Sequence, residues 1–178
     1  MYATLSELRI ADSFYEEGSY PEAISSYEVF ESLHPGHRER EYVIYKIGLS
    51  YVKLTPKAID RDLGPAKKAI STFKRLLTLF PGTKYNKKAQ KEILKAREKL
   101  AEREYYIGNF YYTRGKYKSC LDRYEGIINK YTDIKNDITK EAMKKLFVAY
   151  GKVGDKKNQK RIENLLKNKY PENDIIKK

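Results

Sequence analysis

Cysteine, histidine and glycine-rich loops are scarce in this sequence, and each scarcity excludes a class of protein. Cys120 is the single cysteine among 178 residues, so the chain has no intramolecular disulfide framework. His34 and His37 are the only histidines, and Pro35 and Gly36 between them indicate a turn rather than a metal site. Neither a Ser-His-Asp triad nor a phosphate-binding glycine loop can be assembled from these residues. We therefore predict no catalytic residues, no metal ligands and no cofactor, and a protein that is not an enzyme.

Long apolar runs are missing as well. No run of about 18 apolar residues occurs, which excludes a membrane-spanning helix. Glu7, Arg9 and Asp12 interrupt any apolar stretch after Met1, so the sequence does not open on a signal peptide. Two readings fit this pattern: a cytosolic protein, or a fragment that lacks its targeting segment.

Acidic residues are outnumbered, with 24 Asp and Glu against 37 Lys and Arg, which gives a net charge of +13. Such a balance is compatible with a nucleic acid, an anionic membrane surface or an acidic protein as partner. Because the lysines are spread along the chain and form no compact basic arm, we interpret most of them as solvated surface. The 17 tyrosines and the high charged content suit small helical repeats that share thin interfaces.

The apolar pattern repeats with the period of tetratricopeptide helix pairs. In the first pair, Ile10, Ala11 and Phe14 form the predicted buried stripe of the first helix, and Ala23, Tyr27 and Phe30 that of the second. Glycines mark the predicted turns of three pairs at the same repeat position, and prolines close three of them. The turn glycines are Gly18, Gly115 and Gly154, and the closing prolines are Pro35, Pro81 and Pro171.

The second pair departs from this spacing between its two helices. From Tyr51 to Ala69 there are 18 residues, whereas the matching interval from Phe14 to Ala23 has nine. The nine extra residues fall in the stretch 54–66, which we predict to be an ordered loop, with Asp62 as the N-cap of the next helix.

The third pair is predicted to begin with one long helix, since no proline or glycine occurs from Asn86 to Ile107. Thr132 replaces its closing proline, and Gln159 takes the small-residue position of the fourth pair. We predict an all-α fold: a tetratricopeptide superhelix of about four repeats in a single array, 1–178. Its parts are a repeat 4–37, a repeat 38–85 with the inserted loop 54–66, a repeat 86–133 with a long first helix, a repeat 134–172 and a tail 173–178.

First helices line the concave face of such an array, so residues at their exposed repeat positions are candidates for a peptide-binding groove. Tyrosine suits this role because it combines a broad apolar face with a polar tip. The alternative, that several of these side chains pack between neighbouring units, stays open. The predicted groove residues are Leu8, Tyr15, Tyr42, Tyr45, Leu49, Tyr105, Asn109 and Tyr112.

Two stretches resemble the BamD family, the tetratricopeptide lipoproteins of the outer-membrane β-barrel assembly (BAM) machinery. One is the insertion with Asp60, Arg61 and Asp62, followed by the helix to Phe73 and the segment 80–85. The other is the segment 100–115, which carries several tyrosines and ends in an Arg-Gly turn, with 124–128 after it. The similarity covers essentially the whole chain. It implies that the units correspond to the second through fifth of five repeats, so that a signal peptide, a lipid-bearing cysteine and a first repeat would belong to a longer parent protein.

The resemblance implies a non-catalytic scaffold of the BAM complex at the periplasmic face of the outer membrane. Its expected partners are the periplasmic POTRA domains of BamA, unfolded outer-membrane protein segments and other BAM lipoproteins. No nucleic acid is expected, and membrane attachment would come only through a lipid anchor absent from this chain. Arg114, Arg61 and Asp60 are the positions carried over for BamA docking, with capping of its own helix as the alternative for Arg114. The alternative functions are an adaptor in another cell-envelope pathway and a basic RNA-binding helical repeat.

Overall fold

The computed structural model describes residues 2–134 and 137–171, so the predicted tail 173–178 and residue 172, the end of the predicted last repeat, lie outside the described residues. All regular elements in the described ranges are α-helices, which confirms the predicted all-α class. Their bounds are α1 Tyr2–Glu16, α2 Tyr20–Leu33, α3 Arg40–Leu54, α4 Gly64–Leu79, α5 Asn86–Thr113, α6 Tyr117–Lys130, α7 Asp137–Val153 and α8 Lys156–Lys169.

The chain divides into two compact units, residues 1–97 and 98–178, and the boundary falls inside the unbroken helix α5. In the first unit α2 packs on both α1 and α3, and α3 packs on α4. In the second unit α7 packs on both α6 and α8. This serial packing of neighbouring helices is that of tetratricopeptide pairs. The division of a single array into four repeats at the predicted boundaries stays a prediction.

The tight turns within three helix pairs depend on glycine. Gly18, Gly115 and Gly154 have φ angles of 82°, 70° and 83°, in the left-handed region where other residues are strained. After the second helix of each pair, the helix C-cap is followed by Pro35, Pro81, Thr132 or Pro171. Thr132 therefore occupies the position of the closing prolines, as the sequence predicted.

The α3–α4 connection runs from residue 55 to residue 63 and is the longest within a helix pair. Helix α4 begins at Gly64, so Ala66, at the end of the predicted loop, is helical and buried. The N-cap residue is Leu63 rather than Asp62, because Pro65 lies in the first turn of the helix, where its missing N–H costs no hydrogen bond. Asp62 acts one residue earlier, where its Oδ1 accepts the Gly64 N–H at 3.1 Å.

Most of the predicted buried stripes are confirmed, and one position is wrong. Ala23, Tyr27 and Phe30 are at most 1% exposed, yet Ile10 is 54% exposed. The equivalent of Ile10 in the second pair, Ile47, is 1% exposed because it packs in the same core cluster as the residues of α2. Among the described residues, no helix of the first unit covers Ile10 in the way that α2 covers Ile47.

Candidate functional site

A single carboxylate organises the face where α1, α2 and α3 meet in the first unit. Asp12 Oδ1 accepts hydrogen bonds from the Tyr27 hydroxyl at 2.5 Å and from the Tyr42 hydroxyl at 2.6 Å. Burial, together with the nearby Asp12 charge, raises the pKa of both tyrosines well above the usual value. The two phenols are therefore held neutral. Tyr27 of α2 and Tyr42 of α3 both donate to the one acceptor, Asp12 of α1.

A buried lysine lies beside this group. Lys46 is 8% exposed, and its Nζ lies 3.5 Å from the centroid of the Tyr15 ring and 3.5 Å from Glu16 Oε1. The Tyr42 ring lies farther from the same ammonium group, at 5.8 Å. The ring faces and the carboxylate compensate the charge that burial removes from water. Lys46 thus brings together two predicted groove residues, Tyr15 and Tyr42.

The remaining predicted groove residues of the first unit are more deeply packed. Tyr45 is 9% exposed and stacks on Tyr85, with ring centroids 4.3 Å apart. Leu49 is partly buried against the α3–α4 core, and Leu8 is 7% exposed within the α1–α2 core. For Tyr45 and Leu8, packing between neighbouring helices is the dominant role in this structure.

The second unit repeats the arrangement with a different polar partner. Lys145 donates a hydrogen bond to Asn109 Oδ1, and its Nζ lies 4.9 Å and 5.4 Å from the ring centroids of Tyr105 and Tyr112. The three residues that Lys145 contacts, Tyr105, Asn109 and Tyr112, are all predicted groove residues. Tyr105 and Tyr112 also pack, partly buried, on the core of α6 and α7.

The two lysine sites occupy the same repeat positions. Lys46 and Lys145 each stand five residues before the last stripe tyrosine of their helix, Tyr51 and Tyr150. In the first helix of the preceding pair, Asp12 and Asn109 each stand three residues before a tyrosine that contacts the lysine, Tyr15 in one unit and Tyr112 in the other. Sequence reasoning missed both lysines and Asp12, although this shared spacing was the signal that could have found them.

The buried tyrosines behind these sites differ in one respect. Tyr27 and Tyr124 stand at the same repeat position and are both fully buried. The Tyr27 hydroxyl reaches Asp12, whereas the Tyr124 hydroxyl has no hydrogen-bond partner within the described part of the chain. A buried hydroxyl without a partner costs free energy, about 1–3 kcal/mol.

We expect opposite outcomes when each of these tyrosines is replaced by phenylalanine. Tyr27→Phe removes a hydrogen bond to a carboxylate and should lower the free energy of unfolding by about 2 kcal/mol. Tyr124→Phe removes only an unpartnered hydroxyl and should leave stability unchanged or raise it by about 1 kcal/mol. Urea denaturation of the two variants measures both values. A loss at Tyr124 equal to that at Tyr27 would contradict the expectation.

Arg114 lies exposed at the end of α5 and contacts its own helix. Its Nη1 donates to the Phe110 carbonyl at 3.0 Å, and the guanidinium carbon lies 3.6 Å from the centroid of the Phe110 ring. This is the capping geometry that the sequence left open for Arg114. The guanidinium has five N–H donors, so one bond to a carbonyl does not use up its capacity for a carboxylate.

The other two predicted docking residues, Asp60 and Arg61, lie exposed in the α3–α4 connection. Neither takes part in an ion pair with any residue that the structure describes. The end of this connection is held by the hydrogen bond from the Gly64 N–H to Asp62 and by the burial of Leu63.

The remaining reactive side chains serve packing. Cys120 is fully buried, and burial raises the pKa of its thiol, which keeps it protonated. His34 Nε2 pairs with Glu7 Oε2 at 2.8 Å, and the rings of His34 and His37 both lie against Phe30. Over the described ranges there is no group of three or more His, Cys, Asp or Glu that could hold a metal. None of the described helices is long and apolar enough to cross a membrane.

Comparison with known proteins gives consistent matches along the chain. A family model described as "YfiO: Outer membrane lipoprotein" matches residues 1–165. The outer membrane protein assembly factor BamD of Neisseria meningitidis serogroup A (strain Z2491) is 25% identical over 98% of this chain and 68% of its own length. The BamD of Rickettsia prowazekii is 28% identical over 93% of this chain and 65% of its own length. The chain thus spans about two thirds of the length of these curated relatives. Among solved structures, a tetratricopeptide repeat protein from Parabacteroides merdae is 14% identical with a TM-score of 0.39, over 97% of this chain and 69% of that one.

Proposed function

This chain belongs to the family of YfiO outer membrane lipoproteins, and from that premise we propose that it is a non-catalytic scaffold of outer-membrane β-barrel protein assembly. The observation that carries the proposal is the family match over residues 1–165, together with relatives named as assembly factors. We place its work at the periplasmic face of the outer membrane. The tetratricopeptide pairs support a binding role, since stacked helix pairs present extended surfaces rather than closed catalytic pockets.

We propose that the partly buried tyrosines around Lys46 and Lys145 bind unfolded segments of outer-membrane proteins. In each unit the lysine ammonium is held against tyrosine rings and a polar acceptor, so the rings present fixed apolar faces with polar tips. Rigid amphipathic rings lose little conformational entropy on binding, which favours contact with peptides of varied sequence. Tyr15, Tyr42, Tyr105 and Tyr112 are the side chains that we assign to this contact, while Tyr45 and Leu49 support them from the core.

We propose that the end of α5 docks the periplasmic POTRA region of BamA through Arg114, with Asp60 and Arg61 of the α3–α4 connection as further contacts. One face of the Arg114 guanidinium packs on the exposed Phe110 ring, and the Arg114 side chain remains exposed to solvent. A planar guanidinium pairs with a carboxylate through two parallel hydrogen bonds, so Arg114 is suited to an acidic side chain on the partner.

Arg114→Glu tests this assignment in a binding titration of the chain against purified BamA periplasmic region. We expect the variant to bind about tenfold more weakly or worse, because the reversed charge faces the partner carboxylate. Arg38→Glu is the matched control, since Arg38 is also highly exposed and lies in the α2–α3 connection. The circular dichroism spectra of both variants should match that of the unchanged chain.

The outcomes separate the proposals. Equal affinity for the Arg114 and Arg38 variants would remove Arg114 from the interface. Failure of this chain to bind BamA would overturn the scaffold assignment. Recovery of a different envelope partner would then favour an adaptor of another cell-envelope pathway, and salt-sensitive binding of RNA would favour a nucleic-acid-binding repeat.

A further inference from the structure

The positive charge of the first unit is concentrated in one interval. Between Asp62 and Glu92 the sequence contains no acidic residue at all, whereas the first 34 residues contain seven acids and a single base, Arg9. The interval covers α4 and the first turns of α5. Its eight bases are Lys67, Lys68, Lys74, Arg75, Lys84, Lys87, Lys88 and Lys91.

Seven of these bases lie on the solvent side of α4 and α5, and Lys84 lies in the connection between the two helices. Helix α4 buries Ala69, Phe73 and Leu76 in a core cluster that also contains Ala89 of α5. All eight basic side chains are exposed. Because the two helices share one core cluster, their basic faces form the outside of the same part of the unit, which we call the basic surface.

Most of this charge is not neutralised within the protein. Arg75 is the exception, since it forms two hydrogen bonds to Glu31 at 2.6 Å and 2.9 Å. Lys67, Lys74, Lys87 and Lys91 form no ion pair with any residue in the described ranges. A surface on which eight bases are neutralised by described residues at only one position, Arg75, attracts an anionic partner over several ångströms.

We propose that the basic surface rests on the anionic phospholipid headgroups of a bilayer. Clusters of four to eight lysines beside a membrane bind anionic lipids, and each lysine strengthens the attraction about fivefold. Leu79, 45% exposed at the end of α4, offers an apolar side chain for the headgroup boundary. The family description places relatives of this chain at a membrane, and the inference stands on that membership rather than on the partner contacts proposed above.

The aromatic residues of this region favour a bilayer over a nucleic acid. Proteins that hold single strands stack the bases on exposed aromatic rings. Here Phe73 is fully buried, Phe80 packs partly buried on the same core cluster and Tyr85 is stacked on Tyr45, so the described residues of the basic surface offer no free ring of this kind. Seven of its eight bases are lysines, which attract headgroups as point charges without the bidentate geometry of arginine.

The test is sedimentation of the purified chain with vesicles of equal parts phosphatidylglycerol and phosphatidylcholine, and with vesicles of phosphatidylcholine alone. We expect binding to the anionic vesicles only, weakening as salt rises from roughly 50 to 300 mM. Changing Lys67, Lys74, Lys87 and Lys91 together to glutamine should weaken this binding at least about tenfold. The matched control removes four exposed lysines scattered along the chain, by changing Lys53, Lys57, Lys118 and Lys152 to glutamine, and should weaken binding about twofold or less.

Three results would overturn the inference: no binding of the unchanged chain to anionic vesicles, an equal loss in both four-lysine variants, or a single-stranded RNA that displaces the vesicles at equal salt. An equal loss would mean that net charge rather than the basic surface drives binding. Thermal unfolding followed by circular dichroism verifies that both variants are folded. Since the assay contains no BamA, its failure leaves the scaffold function intact, and failure of BamA binding leaves this inference intact.

Discussion

Gly48→Ala should lower the free energy of unfolding by about 2–3 kcal/mol, although alanine is the better helix former. A Cβ atom at Gly48 would lie 2.7 Å from Cζ and 2.8 Å from Cδ1 of Phe73, and closer still to Cε1. Phe73 is fully buried in the α3–α4 core, so its ring has no free space into which to turn. Helix α3 must therefore move away from α4, which loosens the contacts of both helices.

Gly126→Ala is the control for the glycine-to-alanine change itself. Gly126 lies inside α6 with nothing within 4 Å of the position of a Cβ atom. Here the gain in helix propensity is unopposed, and we expect a stabilisation of about 0.5–1 kcal/mol. Thermal unfolding followed by circular dichroism gives both shifts. A Gly48→Ala variant that melts at or above the temperature of the unchanged chain would show that the Phe73 ring leaves room for a methyl group at position 48.

Asp12→Ala should cost about 3 kcal/mol, because one carboxylate oxygen serves two tyrosines. The fully buried Tyr27 hydroxyl would lose its acceptor without access to water. The Tyr42 hydroxyl, which is only partly buried, would recover some hydration. Most of the loss therefore arises at Tyr27, and equilibrium denaturation in urea measures it.

A second substitution distinguishes this cause from a general loss of packing. In the double variant Asp12→Ala, Tyr27→Phe, the buried Tyr27 hydroxyl that lost its acceptor is removed, so we expect about 1–2 kcal/mol of the loss to be recovered. Asp12→Asn, which keeps an acceptor of the same shape, should cost about 1 kcal/mol. Additive losses in the double variant would contradict the role assigned to the hydrogen bond.

The sequence by itself determined the secondary structure and the order of the helix pairs. Its apolar spacing predicted paired helices, and the lack of proline and glycine from Asn86 to Ile107 predicted the long helix that the structure shows as α5. Gly18, Gly115 and Gly154 have the left-handed backbone that their repeat position requires. These features are local, because propensity and turn chemistry act within a few residues of the chain.

The tertiary structure alone decided which side chains share a site. Periodicity places Tyr15 and Tyr42 on exposed helix faces, yet only the fold brings Lys46 to Tyr15 and Asp12 to Tyr42. The same limit explains Ile10, which the apolar spacing placed in a buried stripe and which the fold leaves 54% exposed. A helical period fixes the face on which a residue lies, whereas burial and hydrogen bonding depend on the neighbour that the fold places against that face.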